Sequence, residues 1–385
     1  PDPIPLEHKH EDDIRILTYN TWNDGFLNEE RQPHFKRIIQ ALDPDVIALQ
    51  EHWDWDEIDD IIQSWFPDKP WYASWTHRDL VVLSRFSIID DASLISSGRT
   101  MCALLDTEEE LGKNLLIVNS HLSCCDSNED RQQQVDEFLS VWREWISNGN
   151  GPFDLEDETP FVHVGDYNFV GYRQQVKTIR IGDIEDENEY GVDFLPDWDS
   201  TAIVDLFSRH THKRMGYTWR KDGSSFNPGK LDYIFYSDAT IDTGRHFTLN
   251  TLAMEEATLT EYGLEWDDTQ EASDHLPRIF DISLDPSVGI QDENPISTKF
   301  AMFYNYPNPF NPTTTISINI VKTLHATSLH IYNISGRCIE TLTVGELKPG
   351  NHEFQWNGMY RPSGVYFIKF STGNSSRTRK MVLLK

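Results

Sequence analysis

One short apolar run after another in this chain ends on, or opens from, a side chain that can bind a metal or move a proton. Leu17-Thr18-Tyr19 runs into Asn20, Ala48-Leu49-Gln50 into Glu51, and Val118-Asn119-Ser120 into His121. Val164-Gly165 leads to Asp166 and, two residues on, to Asn168; Asp232 heads Tyr233-Ile234-Phe235-Tyr236; Asp274 and His275 precede the run from Ile279 to Ile282. Runs this short and apolar read as buried strands. Polar groups delivered at strand ends gather along one edge of a sheet, where sites are built. Residues as far apart as Asn20 and His275 are therefore expected to meet. Together they supply three carboxylates, a fourth beside a His, a second His and two Asn. Such a set can hold a hard divalent cation and keep groups free to move a proton.

With 385 residues, two domains are expected, and 38% hydrophobic content is ample for packed cores. The net charge of -30 is unevenly spread. From Ser297 onward there are 10 Lys/Arg and 3 Asp/Glu (net +7), which leaves 23 against 60 (net -37) before it. So acidic a body is a poor non-specific DNA binder, because affinity for phosphate backbones comes from Lys and Arg. It suits a solvated or salt-adapted surface. No apolar run approaches the roughly 20 residues of a membrane-spanning helix. No stretch of secretory-leader character opens the chain at Pro1, as expected where numbering starts after a removed segment. Four Cys do not make a disulfide framework at this length, and the adjacent Cys124 and Cys125 read as loop thiols.

Strands are expected over 14–20, 46–50, 80–84, 101–105, 115–120, 161–164, 233–236 and 279–282. Phe35, Ile38, Ile39 and Leu42 fall at helical spacing, closed by Asp43-Pro44, and a long helix is expected over about 129–146. Residues 107–114 read as a charged turn. Mixed strands and outer helices imply an α+β fold of stacked sheets. Residues 284–300, rich in Pro, Gly, Asp and Glu, read as a linker. Beyond it, alternation at 313–320 and further strand candidates at 329–332, 352–356, 364–370 and 380–384 imply a small all-β sandwich.

Taken in order, the motifs around Asn20, Glu51, His121, Asp166/Asn168, Asp232 and Asp274/His275 resemble the endonuclease/exonuclease/phosphatase superfamily across residues 12–283. The resemblance implies a deoxyribonuclease-I-like fold, a four-layer α/β/β/α sandwich, and hydrolysis of phosphoester bonds with Mg²⁺, or Mn²⁺ or Ca²⁺ in its place. It implies that Glu51 is the principal metal ligand, with Asn20 beside the same metal and Asp274 near it. Asp166 would orient or deprotonate the attacking water, and Asn168 would donate to a phosphate oxygen. His121 would contact the scissile phosphate or assist the leaving group, and His275, oriented by Asp232, would stabilise the transition state. Arg173 and Lys177 are candidates for a second anion, and Trp219 for a stacking wall. Trp22 stands where some abasic-site nucleases carry an acid, which weakens the case for DNA repair.

Independently of the family, a phosphoester needs neutralised non-bridging oxygens, an aligned water and help for the leaving oxygen. A carboxylate-held His stays protonated near neutral pH and can donate to phosphate.

In the tail, Tyr306-Pro307-Asn308-Pro309-Phe310-Asn311-Pro312, Ile331 to Arg337, Trp356-Asn357-Gly358 and Ser363-Gly364-Val365-Tyr366-Phe367 are similar to a type IX secretion C-terminal sorting domain of the type A class, over 301–385. That resemblance implies an immunoglobulin-like sandwich, a partner in the type IX machinery, and export across the outer membrane of a Gram-negative bacterium to the surface or beyond. The functional expectation is an exported metal-dependent hydrolase of small or lipid-linked phosphoesters. The alternatives are an extracellular nuclease acting on DNA or RNA, and an inactive surface adhesion protein.

Overall fold

In the computed structural model the described residues are 2–283, apart from 11, 55, 56 and 77, and 300–385, apart from 307, 309, 321–323, 335, 349, 373 and 374. The expected linker at 284–300 lies, but for Phe300, outside the described residues. The chain divides into two compact units, Pro1–Pro286 and Ser287–Lys385.

The first unit carries twelve described strands: β1 Ile14–Asn20, β2 Val46–Gln50, β3 Tyr72–Trp75, β4 Val81–Ser84, β5 Ile88–Ser93, β6 Thr100–Leu105, β7 Leu115–His121, β8 Phe161–Asp166, β9 Val204–Asp205, β10 Asp232–Tyr236, β11 Asp242–Thr248 and β12 Arg278–Ser283. They form two six-stranded sheets, ordered β11-β12-β1-β2-β4-β3 and β5-β6-β7-β8-β10-β9. Each sheet has one parallel pair, β1 with β2 and β7 with β8, flanked by antiparallel neighbours. This topology fixes the site edge. The parallel pairs end in register, Asn20 opposite Gln50 and His121 opposite Asp166. The antiparallel neighbour β10 begins at that same edge, with Asp232 opposite Asp166.

Period-2 alternation sends successive side chains of each central strand to opposite faces. Ile14 and Ile16 of β1, Val46 and Ala48 of β2, Leu115 and Ile117 of β7, and Val162 and Val164 of β8 fill the core between the sheets. Leu17, Tyr19, Ile47 and Leu49 face the opposite way, onto Phe35, Ile38, Ile39 and Leu42 of the helix Gln32–Leu42 and Ile58 and Ile62 of Ile58–Trp65. On the far side Leu116, Val118, Phe161 and Phe235 meet Val135, Phe138, Leu139 and Trp142 of the helix Asn128–Asn148. Three cores between four layers make the unit a four-layer α/β/β/α sandwich. The residues before the expected start at 12 contribute too, since Leu6 is buried in the core under the helices Gln32–Leu42 and Ile58–Trp65.

A pair of polar ties crosses the inner core close to the site. Gln50 Nε2 of one sheet donates to Asn119 Oδ1 of the other at 2.8 Å, and Asn119 Nδ2 returns to the Leu49 carbonyl at 2.9 Å. The buried Arg278 of β12 donates to the carbonyls of Asp232 and Leu206, both at 2.8 Å. Buried hydrogen bonds of this kind fix the sheets in one relation.

The described strands of the second unit pair antiparallel. β13 Phe300–Tyr306, β14 Thr313–Ile320 and β17 Gly350–Asn357 form one sheet; β15 Leu324–Asn333, β16 Cys338–Leu347, β18 Gly364–Thr372 and β19 Ser375–Leu383 form the other. Ile316, Ile318, Leu329, Ile331, Trp356, Ile368 and Phe370 fill its core. Among the described residues of the whole chain no helix is long and apolar enough to cross a membrane.

Candidate active site

The site is assembled at the edge where β1, β2, β7 and β8 end and β10 begins. Asn20 joins its two halves: Nδ2 donates to Glu51 Oε1 and to Asp166 Oδ2, each at 3.1 Å, so one amide bridges the ends of both sheets. Its Oδ1 accepts the Trp22 N–H at 2.9 Å. Trp22, Asn23 and Asp24 are three successive non-glycine residues in the left-handed region, at φ 49°, 56° and 53°, and Glu51 joins them at 55°. Each such residue costs about 1 kcal/mol or more. The cost is offset because this turn aims backbone donors at Glu51: Asn23 N–H reaches Oε2 at 3.1 Å and Asp24 N–H reaches the Glu51 carbonyl at 2.9 Å.

Asp166 is buried. Its Oδ1 accepts the Asn168 N–H at 2.9 Å, and Asn168 Nδ2 reaches Oδ2 at 3.2 Å and the Leu122 carbonyl at 3.0 Å. Burial raises the Asp166 carboxyl; His275 and His121 oppose that and Asp232 adds to it, leaving it at about 6.

Two imidazoles face this carboxylate. His275 Nε2 lies 3.6 Å and His121 Nε2 3.8 Å from Asp166 Oδ2. Each is held from behind by a second carboxylate. His275 Nδ1 meets Asp232 Oδ2 at 2.9 Å, and His121 Nδ1 is in short contact with Asp79 Oδ2. Burial alone would discharge both rings. For His275 the charges of Asp232 and Asp166 win and carry it to about 10. His121 is also raised, against burial, by its hydrogen bond to Asp79 and that residue's charge. His275 is therefore imidazolium at neutral pH, and His121 is shifted toward its charged form.

The remaining motif residues hold this geometry. Ser273 Oγ donates to the Asn20 carbonyl at 2.8 Å and accepts the His275 N–H at 3.1 Å. The buried Thr218 accepts the Leu231 and Asp232 N–H groups at 3.0 Å, while its carbonyl takes the Leu276 N–H at 2.6 Å. The next residue, Trp219, is half-buried, and its backbone bridges to that of His275. Asp274 stands apart from the Asp166–Asp232–His275 group; its Oδ2 is 3.6 Å from Lys221 Nζ. Arg173 and Lys177 lie on the helix Arg173–Ile181 and line a hollow of ≈ 490 Å³ with Phe169, Tyr172 and Tyr233. Lys177 is already paired with Asp183.

Asp79 and Thr218 escaped the sequence reading. An Asp one residue ahead of an apolar strand and a Thr between two aromatics carry no local mark; their roles exist through partners 42 and 14 positions away.

The residues fit a hard divalent cation on the Glu51 side. Glu51 is half-buried, each of its oxygens accepts one hydrogen bond, and among the described residues it has no ion-pair partner. A carboxylate has about four acceptor positions, so each oxygen keeps one for a metal. The ligand atoms of Asp166, Asp232 and His275 also lie within 4.8 Å of one another, but there His275 already supplies the positive charge. A second such group, His34, Asp267 and Asp268, is filled by Arg37, whose guanidinium reaches Asp268 Oδ1 at 2.6 Å.

Residues 17–275 match the model of the Endonuclease/Exonuclease/phosphatase family, and residues 305–384 match that of the secretion system C-terminal sorting domain. No curated protein matches the sequence. Similar solved structures include ANGEL2, a 2',3'-cyclic phosphatase, at 15% identity over 72% of this chain and 97% of that one, with a TM-score of 0.47. D. rerio TDP2, complexed with single-strand DNA product, is 14% identical over 70% of this chain and 99% of its own (0.44). Beta toxin from Staphylococcus aureus, with bound magnesium ions, is 13% identical over 70% and 99% (0.42).

Proposed function

The chain belongs to the endonuclease/exonuclease/phosphatase family and is a hydrolase of phosphoester bonds with a secretion-type tail, and from this premise we propose an exported, Mg²⁺-dependent phosphatase or phosphodiesterase acting on small or lipid-linked phosphoesters. The observation that carries the mechanism is the placement of Asp166 between the Nε2 atoms of His275 and His121, each ring backed by its own carboxylate.

In this reading Glu51 and Asn20 hold the metal, which when bound neutralises charge on the phosphate and fixes its approach. Asp166, with a carboxyl near 6, is mostly ionised at pH 7.5 and basic enough to take a proton from the attacking water. His275 and His121 donate from Nε2 to phosphate oxygens, and the gain grows as charge builds in the transition state. Asn168 holds Asp166 through its N–H and Nδ2, and would turn its amide to a phosphate oxygen only by giving up one of its bonds to Asp166 and Leu122. Asp232 and Asp79 keep the two rings charged and oriented. Asp274, next to His275 in sequence, faces Lys221. Trp219 forms the wall against which the substrate's organic part rests, and Arg173 stands ready for an anion next to Asn168. The tail carries the enzyme through the type IX machinery to the surface of a Gram-negative cell or beyond it.

The net charge of -37 before Ser297 favours small or lipid-linked esters over long nucleic acids. A panel of a generic phosphodiester, phosphomonoesters, sphingomyelin and plasmid DNA, each with Mg²⁺, Mn²⁺ and Ca²⁺, tests the reading. Turnover of one of the first three classes well above that of DNA is expected. Rapid DNA degradation with none of the small or lipid esters cleaved would replace it with the extracellular nuclease.

A further inference from the structure

Among the described residues, several cations around the site edge are tied to the protein. Arg31 donates to the carbonyls of Thr21, Trp22 and Ala272; Arg99 donates to that of His121 at 3.1 Å. Lys230 is bound to Asp205 at 2.6 Å and Arg220 to Asp222 at 2.6 Å. Lys221 differs. Its side chain is 46% exposed, and its ion pair with Asp274, at 3.6 Å, is too long for a hydrogen bond. Among the described residues its ammonium donates no hydrogen bond, so all three N–H groups are available to a ligand.

Its position is nevertheless fixed. Arg220 N–H binds the Asp274 carbonyl at 2.9 Å, which pins the start of this loop beside His275. The Lys221 Nζ sits 4.4 Å from the centroid of the Trp22 ring. Trp22 is itself held by the left-handed turn that carries Asn20, with its N–H on Asn20 Oδ1 and Arg31 4.9 Å from its ring centroid. The cation–π contact orders the ammonium at the mouth without consuming its donors. The pair with Asp274 is long and open to solvent on its Lys221 side, so it is readily given up to a better anion.

We propose that Lys221, with Trp22 as its floor, is a specificity-determining residue that binds a second phosphate group carried by the substrate beside the scissile ester. The inference rests on the phosphoester reading and narrows it. The preferred substrates are compact bisphosphorylated molecules, in which one phosphate meets His121 and His275 and the other meets Lys221. In a unit this acidic, a cation free to bind at the mouth is a strong local discriminator for a doubly anionic ligand.

The test uses the full chain in Mg²⁺, with bis(p-nitrophenyl) phosphate as reporter and adenosine 3',5'-bisphosphate and adenosine 3'-monophosphate as competing ligands. The parent should bind the bisphosphate about tenfold more tightly than the monophosphate, the size of one charge-assisted contact. Lys221→Met, which keeps the stem over Trp22, should abolish that gap and leave kcat on the reporter unchanged; Lys221→Arg should retain it. Equal affinity for the two ligands in the parent, or an equal loss for both in Lys221→Met, overturns the subsite and leaves the phosphoesterase standing. A parent protein that cleaves no phosphoester overturns the reading on which the subsite rests.

Discussion

Asp79 lies outside every motif that marks the site, yet it holds the Nδ1 side of His121, so Asp79→Asn isolates what a backing carboxylate does for a phosphate-facing ring. Asparagine keeps the shape and can still accept a hydrogen bond, but it removes the charge. His121 is buried, and burial alone drives its pKa below the ordinary value; its hydrogen bond to Asp79 and that residue's charge are what raise it. A hydrogen bond to a charged group contributes about 1.5–3 kcal/mol, equivalent to roughly one to two pKa units. Without it the pKa of the ring falls, and a smaller fraction of it is charged above neutral pH. A donor lost from the transition state at that strength lowers kcat by about tenfold to a hundredfold. The sign over pH follows. The parent keeps its imidazolium up to a raised pKa, whereas the variant recovers it only in acid, so the ratio of variant to parent kcat should climb as pH falls from 8 to 6. Steady-state kinetics over that range, with a ¹⁵N NMR titration of the His121 ring, measures both. A variant within twofold of the parent at pH 8, or one whose deficit is the same at pH 6 and pH 8, refutes the reasoning.

Other expectations follow from the same structure. His275→Ala should lower kcat more than it raises KM, and adding Asp232→Asn should cost little more than the worse single change; multiplicative losses in the double-mutant cycle would show that the two act independently. Asp197, buried with one oxygen on Ser237 Oγ and Oδ2 unpartnered, is raised by burial to about 7. Its folded pKa exceeds the unfolded value, so the folded state loses stability as pH rises from about 4 to 7. Asp197→Asn should flatten that decline and stabilise the first unit by up to about 4 kcal/mol at pH 8, with little change at pH 4; parallel stability–pH curves for parent and variant in denaturant melts would count against it. A chain ending at Pro286 should fold and hydrolyse phosphoesters at close to the full-length rate, and in the native host it should stay in the periplasm. Loss of activity in the purified shorter chain would make the β-sandwich part of the enzyme.

Much of this site was legible before any coordinates, for a topological reason. Parallel central strands deliver their carboxyl-terminal residues to one edge, so Asn20, Glu51, His121 and Asp166 could be recognised from where their apolar runs stop. What sequence could not show was the layer behind them. Asp79 sits at the start of an unremarkable strand, and Thr218 and Arg278 act through backbone groups of distant segments. The fold was read with the same asymmetry. The central strands, buried on both faces, were found within a residue or two. Edge strands such as β3, β5 and β11 were missed because their exposed, polar residues blur the alternation. The charged turn expected at 107–114 contains one helical turn, Glu108–Leu111, closed by Gly112 in the left-handed region. Lys177 looked like a free cation because its partner Asp183 lies one helix end away.

The central claim is that Glu51 and Asn20 hold a divalent cation on which hydrolysis depends. The most direct measurement is calorimetric Mg²⁺ binding to EDTA-stripped parent and Glu51→Gln protein, paired with phosphodiester turnover as the metal is restored. The account predicts no turnover in EDTA, recovery that tracks Mg²⁺ binding, and a Glu51→Gln protein that folds normally, binds Mg²⁺ at least tenfold more weakly and turns over orders of magnitude more slowly. Full activity of the stripped parent in EDTA, or Mg²⁺ binding unchanged in Glu51→Gln, would contradict it.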